Sequence, residues 1–215
     1  MRQLLVLFAL VMIALIAVQP VHAQVSFQKW DMYAGYTYLH TPTMDLSQHG
    51  YNLSFGRNIN HWLALGMDFS HFNGSGIQTA PLTPSLSLNV PYDASTTTFA
   101  AGTQFQVRKV KWVTPFFRPF LGAFHTKAKG KPSQIQLPPG VPSAILGMIP
   151  ASELTKSDTI LGYGAGGGID INLSAPIGLR VSTDYIRTSL FDQKQNNVRV
   201  SFGLIYRFGG EMGGK

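Results

Sequence analysis

Four aspartates and four arginines stand where side-chain chemistry is possible. Asp31, Asp68, Asp170 and Asp184, with Arg118, Arg180, Arg199 and Arg207, each fall inside a stretch whose alternate residues are apolar. Carboxylates brought together can act as general acids and bases. Carboxylates set against guanidiniums can gate an ion path, or can neutralise one another. The signs balance, which favours a structural ion-pair network over catalytic carboxylates or a conduit.

Two other patterns could carry chemistry. Gly162-Tyr163-Gly164-Ala165-Gly166-Gly167 fits the G-x-G-x-x-G string of dinucleotide sites. That motif needs a helix after it, whereas Gly168-Ile169-Asp170-Ile171 continues the alternation of a strand. Glycines that thin one face of a strand, so that bulky neighbours fit, are the better reading. Of the six histidines, His40, His49, His71 and His125 lie near one end of their segments, and no pair has the i, i+4 helical spacing of a metal site. Neither His125-Thr126-Lys127 nor His71-Phe72-Asn73 places a serine two residues after the histidine, as a His-x-Ser pair would. No catalytic residue, cofactor or metal is therefore assigned. Lys127, Lys129 and Lys131 alternate at the start of a long connection, and are read as a contact for lipopolysaccharide phosphates or as a solvated charge run.

The elements that hold these residues repeat with a period of two, which marks strands with one apolar and one polar face. Val198, Val200, Phe202, Leu204, Tyr206 and Phe208 form the last stripe. Seven more run over 30–39, 50–58, 62–72, 96–107, 114–127, 159–171 and 177–189. In the fifth, Pro115 and Pro119 cannot donate to a ladder, so a late start or a bulge is expected. The connections alternate long and short. Residues 41–49, 73–95, 128–158 and 190–196 are the long ones, and 59–61, 108–113 and 172–176 the short ones. All long loops thus collect at one end of the sheet, as in bacterial outer-membrane barrels. Segments of about 10 residues suit a tilted crossing of the apolar layer. Trp30, Trp62 and Phe208 are expected in an aromatic girdle at the turn end, Tyr38 and Phe72 in one at the loop end, and Leu65 at the bilayer midplane. The apolar stretch 137–150 is read as a cover over the barrel mouth or a partner site.

The fold class expected is all-β: an eight-stranded antiparallel up-and-down transmembrane β-barrel. With apolar faces toward lipid, the eight charges line a lumen that side chains can fill, so a general diffusion pore is not expected. Residues 1–23 read as a cleaved signal peptide, with Arg2, an apolar run and Val21-His22-Ala23 at the cut. Residues 24–208 are the barrel and 209–215 a short periplasmic tail. Cysteine is absent, so no disulfide holds the exported chain. The formal net charge of +7 is mild. Nucleic acid is not an expected partner, and anionic lipid headgroups are.

Ala165-Gly166-Gly167-Gly168-Ile169-Asp170, Gly178-Leu179-Arg180 with Asp184-Tyr185, Asn196-Asn197-Val198-Arg199-Val200-Ser201-Phe202-Gly203, and Tyr206-Arg207-Phe208-Gly209 resemble the outer-membrane protein β-barrel domain family, small OmpA-like barrels. Tyr33-Ala34-Gly35-Tyr36-Thr37-Tyr38 is similar to that group's first strand. The resemblance implies an outer-membrane location and a monomer with both termini periplasmic. Its partners would be outer-membrane lipid, lipopolysaccharide and the barrel-insertion machinery. That machinery reads the terminal aromatic at which many members stop, whereas here Gly209 to Lys215 come after Phe208. A structural or surface-recognition role through the long loops is expected. An outer-leaflet lipid-modifying enzyme and a narrow channel stay as alternatives.

Overall fold

The alternating stripes become eight strands in a computed structural model, which describes residues 27–83, 86–131, 155–190 and 193–212. They are β1 (Phe27–Thr41), β2 (Leu46–Asn58), β3 (Leu63–Thr83), β4 (Leu86–Gln106), β5 (Val113–Gly130), β6 (Thr155–Asn172), β7 (Ile177–Leu190) and β8 (Gln193–Met212). Every neighbouring pair is antiparallel, and β8 pairs back onto β1 to close the barrel. Closure aligns Trp30 with Phe208, Tyr36 with Phe202 and His40 with Val198. Residues 1–23, read as a signal peptide, lie outside the described residues, as does the apolar stretch 137–150.

The barrel is inside out compared with a water-soluble protein. Met32, Tyr36, Leu53, Met67, Phe99, Leu121, Phe202 and Leu204 are exposed, while Asp170, Asp184, Arg199, Asn52 and Ser201 are almost fully buried. Such a surface suits hydrocarbon, where an unpaired backbone N–H or C=O would cost several kcal/mol. No helix among the described residues is long and apolar enough to cross a membrane, and a barrel crosses with its strands.

Four expectations about connections are corrected. The connection expected over 128–158 is shorter, because Ala128 and Lys129 pair with Lys156 and Thr155. Residues 41–49 are not a long loop. A 3-10 turn at Pro42–Met44 and Asp45, at a left-handed φ of 46°, carry the chain straight into β2. Residues 73–95 are not a loop either, because β3 and β4 stay paired as a ribbon as far as Thr83↔Leu86. Residues 190–196 largely pair, from Leu190↔Gln193 to Arg187↔Asn196. The common reason is that strand pairing continues beyond the apolar layer. There both faces meet polar surroundings, so the apolar alternation that marks a strand fades while its hydrogen bonds persist. The same holds at the other end. Gly209 to Met212, expected as a hanging tail, extend β8 along Phe27 and Gln28.

The prolines also behave differently from expectation. β5 starts at Val113 and keeps one constant register against β4, with no bulge. Pairing lapses only between Gly102↔Phe120 and Phe105↔Phe117, beside Pro119, which has no N–H to donate. The Pro115 carbonyl accepts from the Val107 N–H at 2.9 Å.

Trp30 stacks on Phe55 at 5.1 Å, and Trp62 on Phe105 at 6.0 Å, forming the girdle at the turn end. Phe72 is not in the opposite girdle. It shares the inward parity of Asp68 and Ser70 and is completely buried. Leu65 lies opposite Arg57, close to the Trp62 girdle rather than at the midplane. Ala34, midway between Trp30 and Tyr38, pairs with Leu53. Leu53→Arg should therefore cost about 2–4 kcal/mol in urea-driven unfolding from lipid vesicles, and Leu65→Arg about 1 kcal/mol or less. Equal costs would contradict this placement of the bilayer.

Candidate functional site

Inward parity brings the charges into two clusters stacked along the lumen. Arg118 on β5 makes a two-pronged contact with Asp184 on β7, Nη2 to Oδ2 at 2.7 Å and Nε to Oδ1 at 2.8 Å. Arg199 on β8 donates from Nε to the same Asp184 at 2.8 Å and from Nη1 to Asp68 at 2.8 Å. Arg118 also approaches Asp68, at 3.5 Å. Asn52 and Ser70 donate to the remaining lone pairs of Asp68, at 2.8 and 3.2 Å. One carboxylate on β3 and one on β7 are thus bridged across the bore by two guanidiniums.

The second cluster lies nearer the turn end. Arg180 grips Asp170 with Nε and Nη2 at 2.7 and 2.9 Å, and Arg207 reaches the same carboxylate at 2.9 Å. Arg207 lies 3.9 Å from Asp31, which accepts from Asn58 at 3.1 Å. Asp170↔Arg180, Asp184↔Arg199 and Asp31↔Arg207 are direct cross-strand neighbours, so register alone sets these pairs face to face. Asp184 meets Arg199 and Arg118, and Arg180 goes to Asp170. The guanidiniums also lie over rings, Arg180 above Phe116 at 4.5 Å and Arg199 above Phe120 at 5.6 Å.

Arg118 and Asp184 are two strands apart, and Gly166 on the strand between them pairs with both. A Cβ at Gly166 would collide with the Asp184 carboxylate and the Thr183 carbonyl. Glycine therefore holds open the space in which the guanidinium meets its acid. The neighbouring glycines do the same for rings: a Cβ at Gly162, Gly164 or Gly168 would press on Phe124, Phe120 or Phe116 respectively. The G-x-G string is a trough into which the inward side chains of β5 settle.

Two parts of the interior have no counterpart among the expectations. Leu39, Phe72, Phe124 and Ile186 pack together toward the loop end, with Phe120 and Ile160 against them, as an apolar plug. Beyond it Gln48, Thr96 and Thr126 form a hydrogen-bonded layer. At the turn end Arg108 points inward, donating to Asn58 and Gln106 at 2.9 and 3.0 Å and covering Phe27 at 4.6 Å. Strand parity was the available signal, since 104, 106 and 108 continue one face. Between the clusters and the wall of small residues on β2–β4 remains a cavity of only about 50 Å³.

Lys127 and Lys129 lie on the outward face of β5 at the loop end, well away from the lumen, and Lys131 comes just after the strand's last residue, Gly130. Lys131 pairs with Asp93 at 2.7 Å. His40 and His49, also outward, bond Ser47 and Tyr36, and His71 and His125 bond Thr97 and Thr159.

A closed barrel with an apolar exterior, an ion-paired interior and an aromatic girdle defines an integral outer-membrane β-barrel. The chain belongs to the outer membrane protein beta-barrel domain family, whose model matches residues 8–208. It is accordingly an outer-membrane protein. Among solved structures, Neisserial surface protein A is similar at a TM-score of 0.55 and 13% identity, over 83% of this chain and 96% of that one. Ail, the attachment invasion locus protein of Yersinia pestis, in complex with the heparin analogue sucrose octasulfate, is similar at 0.51 and 17%, over 84% and 99%. OprG from Pseudomonas aeruginosa is similar at 0.51 and 11%, over 86% and 98%. At these identities the likeness is one of fold. No curated protein matches the chain.

Removing the acid that two buried arginines share should be costly. Asp184→Asn is expected to lower stability by about 3–5 kcal/mol in the same vesicle assay. Gly166→Val should lose a comparable amount, because it blocks the Arg118–Asp184 contact without removing a charge. In a double-mutant cycle the two losses should fall well short of additive, and full additivity would separate the glycine from the ion pair.

Proposed function

We propose that this protein is a sealed, non-enzymatic barrel that presents a recognition surface at its loop end, outside the cell, with both termini in the periplasm. The observation that carries the reading is a contrast between bore and rim. The bore is blocked by ionic clusters, rings and the apolar plug, while the β3–β4 ribbon rises past the last barrel pairing at that rim. The eight lumen charges hold the walls together as a structural network, with no catalytic role. The barrel acts as a monomer with outer-membrane lipid and lipopolysaccharide as its surroundings, needs no cofactor, and has no nucleic-acid partner. The closing strand with Phe208 is the element the barrel-insertion machinery would read. β5 ends at Gly130 and β6 begins at Thr155 at the same end as the ribbon, which suits surface recognition better than transport.

Conductance in planar bilayers separates a sealed barrel from a narrow channel. Wild-type protein should give no stable steps. Phe72→Ala combined with Phe124→Ala should raise leak by removing the plug. Discrete wild-type openings would overturn the sealed reading. Mass spectrometry of lipid A should find the same species with and without expression, and a modified lipid A would favour the enzyme alternative. Protease added to intact cells should cut within 132–154. Cleavage that requires permeabilised cells would reverse the orientation.

A further inference from the structure

The outward face of β3–β6 changes character row by row along the register. Phe69, Phe99, Ala123 and Leu161 form an apolar row. One step toward the loop end come His71, Thr97, His125 and Thr159, bonded in pairs at 2.9 and 2.7 Å. The next row is Asn73, Ser95, Lys127 and Ser157, and the one beyond is Ser75, Asp93 and Lys129. Same-face steps along a strand are about 7 Å, so the apolar row gives way to one ammonium group within roughly 14 Å and to a second within roughly 21 Å. Asn73, Ser75, Ser95, Lys127 and Lys129 line a shallow concavity of about 480 Å³ there. Asp93, its one acid, is engaged by Lys131 at 2.7 Å. Among the described residues no carboxylate forms an ion pair with Lys127 or Lys129.

From this sequence of rows we propose a built site for a phosphorylated outer-leaflet lipid, with its acyl chains along Phe69 and Phe99 and its sugar phosphate between Lys127 and Lys129. Ser95 and Asn73 supply hydrogen bonds to the headgroup, and His71 and His125 form the floor where chain meets headgroup. The occupant is the phosphorylated glucosamine lipid of the outer leaflet, because a phosphate is a strong acceptor that two adjacent ammonium groups suit. The inference rests on the loop end facing outward, and it deepens that reading by giving the rim a ligand class.

The test uses the full barrel in nanodiscs of zwitterionic phospholipid. Native mass spectrometry counts the retention of bisphosphorylated lipid A against the same lipid after phosphatase treatment. Wild-type protein should retain the phosphorylated form about tenfold better. Lys127→Gln with Lys129→Gln should abolish that preference, and Lys194→Gln, on the opposite arc at β8, should keep it. Heat-modifiable gel mobility verifies that each variant is folded. Equal retention of the two lipids, or an equal loss in the Lys194 variant, would overturn the site. Nanodiscs carry no cellular orientation, so this result stands apart from the protease experiment. If phosphate selectivity holds while protease places the loop end in the periplasm, the outer-leaflet occupant is overturned together with the orientation, even though the two lysines bind phosphate.

Discussion

The pairing of β8 with β1 is the constraint on which the rest of this structure depends. Hydrocarbon offers no partner to a free N–H or C=O, so a sheet in lipid must have no edge. The ladder from Trp30↔Phe208 to His40↔Val198 removes the last one. Closing eight strands also fixes the bore at a width that side chains fill. Once the apolar faces are committed to lipid, that filling must come from the polar faces.

A polar filling carries its own penalty, because charges taken from water are expensive unless each is paired and hydrogen-bonded. The interior meets this with three carboxylates, Asp68, Asp170 and Asp184, that each contact two guanidiniums. Asp184 holds Arg118 and Arg199, and Asp170 holds Arg180 and Arg207. Register supplies the neighbour on the adjacent strand, Arg199 for Asp184 and Arg180 for Asp170, and Gly166 on β6 opens the way for Arg118 to reach Asp184 from one strand further. The aromatic rings of β5 lie in the same track, so ionic and apolar packing share one trough. The plug around Phe72 and Phe124 then caps the polar column.

The two ends of the barrel differ as much as its two faces. Indole rings at Trp30 and Trp62 mark the turn end. The loop end carries imidazoles, hydroxyls and ammonium groups along β3–β6. Indole suits the boundary between apolar and wet surroundings, and ammonium groups suit a phosphate layer. A recognition surface above a sealed bore is consistent with this division of labour.

Period two in the sequence determined the strand count, the face of each residue and the up-and-down order, because a strand exposes alternate residues to opposite environments. The lumen position of all eight charged residues comes from that parity, as does the outward position of Lys127 and Lys129. Parity says nothing about where a strand ends once both of its faces are polar. Ser47 to His49, the β3–β4 ribbon and Gly209 to Met212 therefore became strands only through their partners. Nor does parity tell which acid meets which base: Arg118 reaches Asp184 because closure curves β5, β6 and β7 around one bore and Gly166 leaves the gap. Phe72 looks like a girdle residue when read for its aromaticity, and its parity puts it inside. Its role as part of a plug was decided by Leu39, Phe124 and Ile186, which only the tertiary structure brings to the same level.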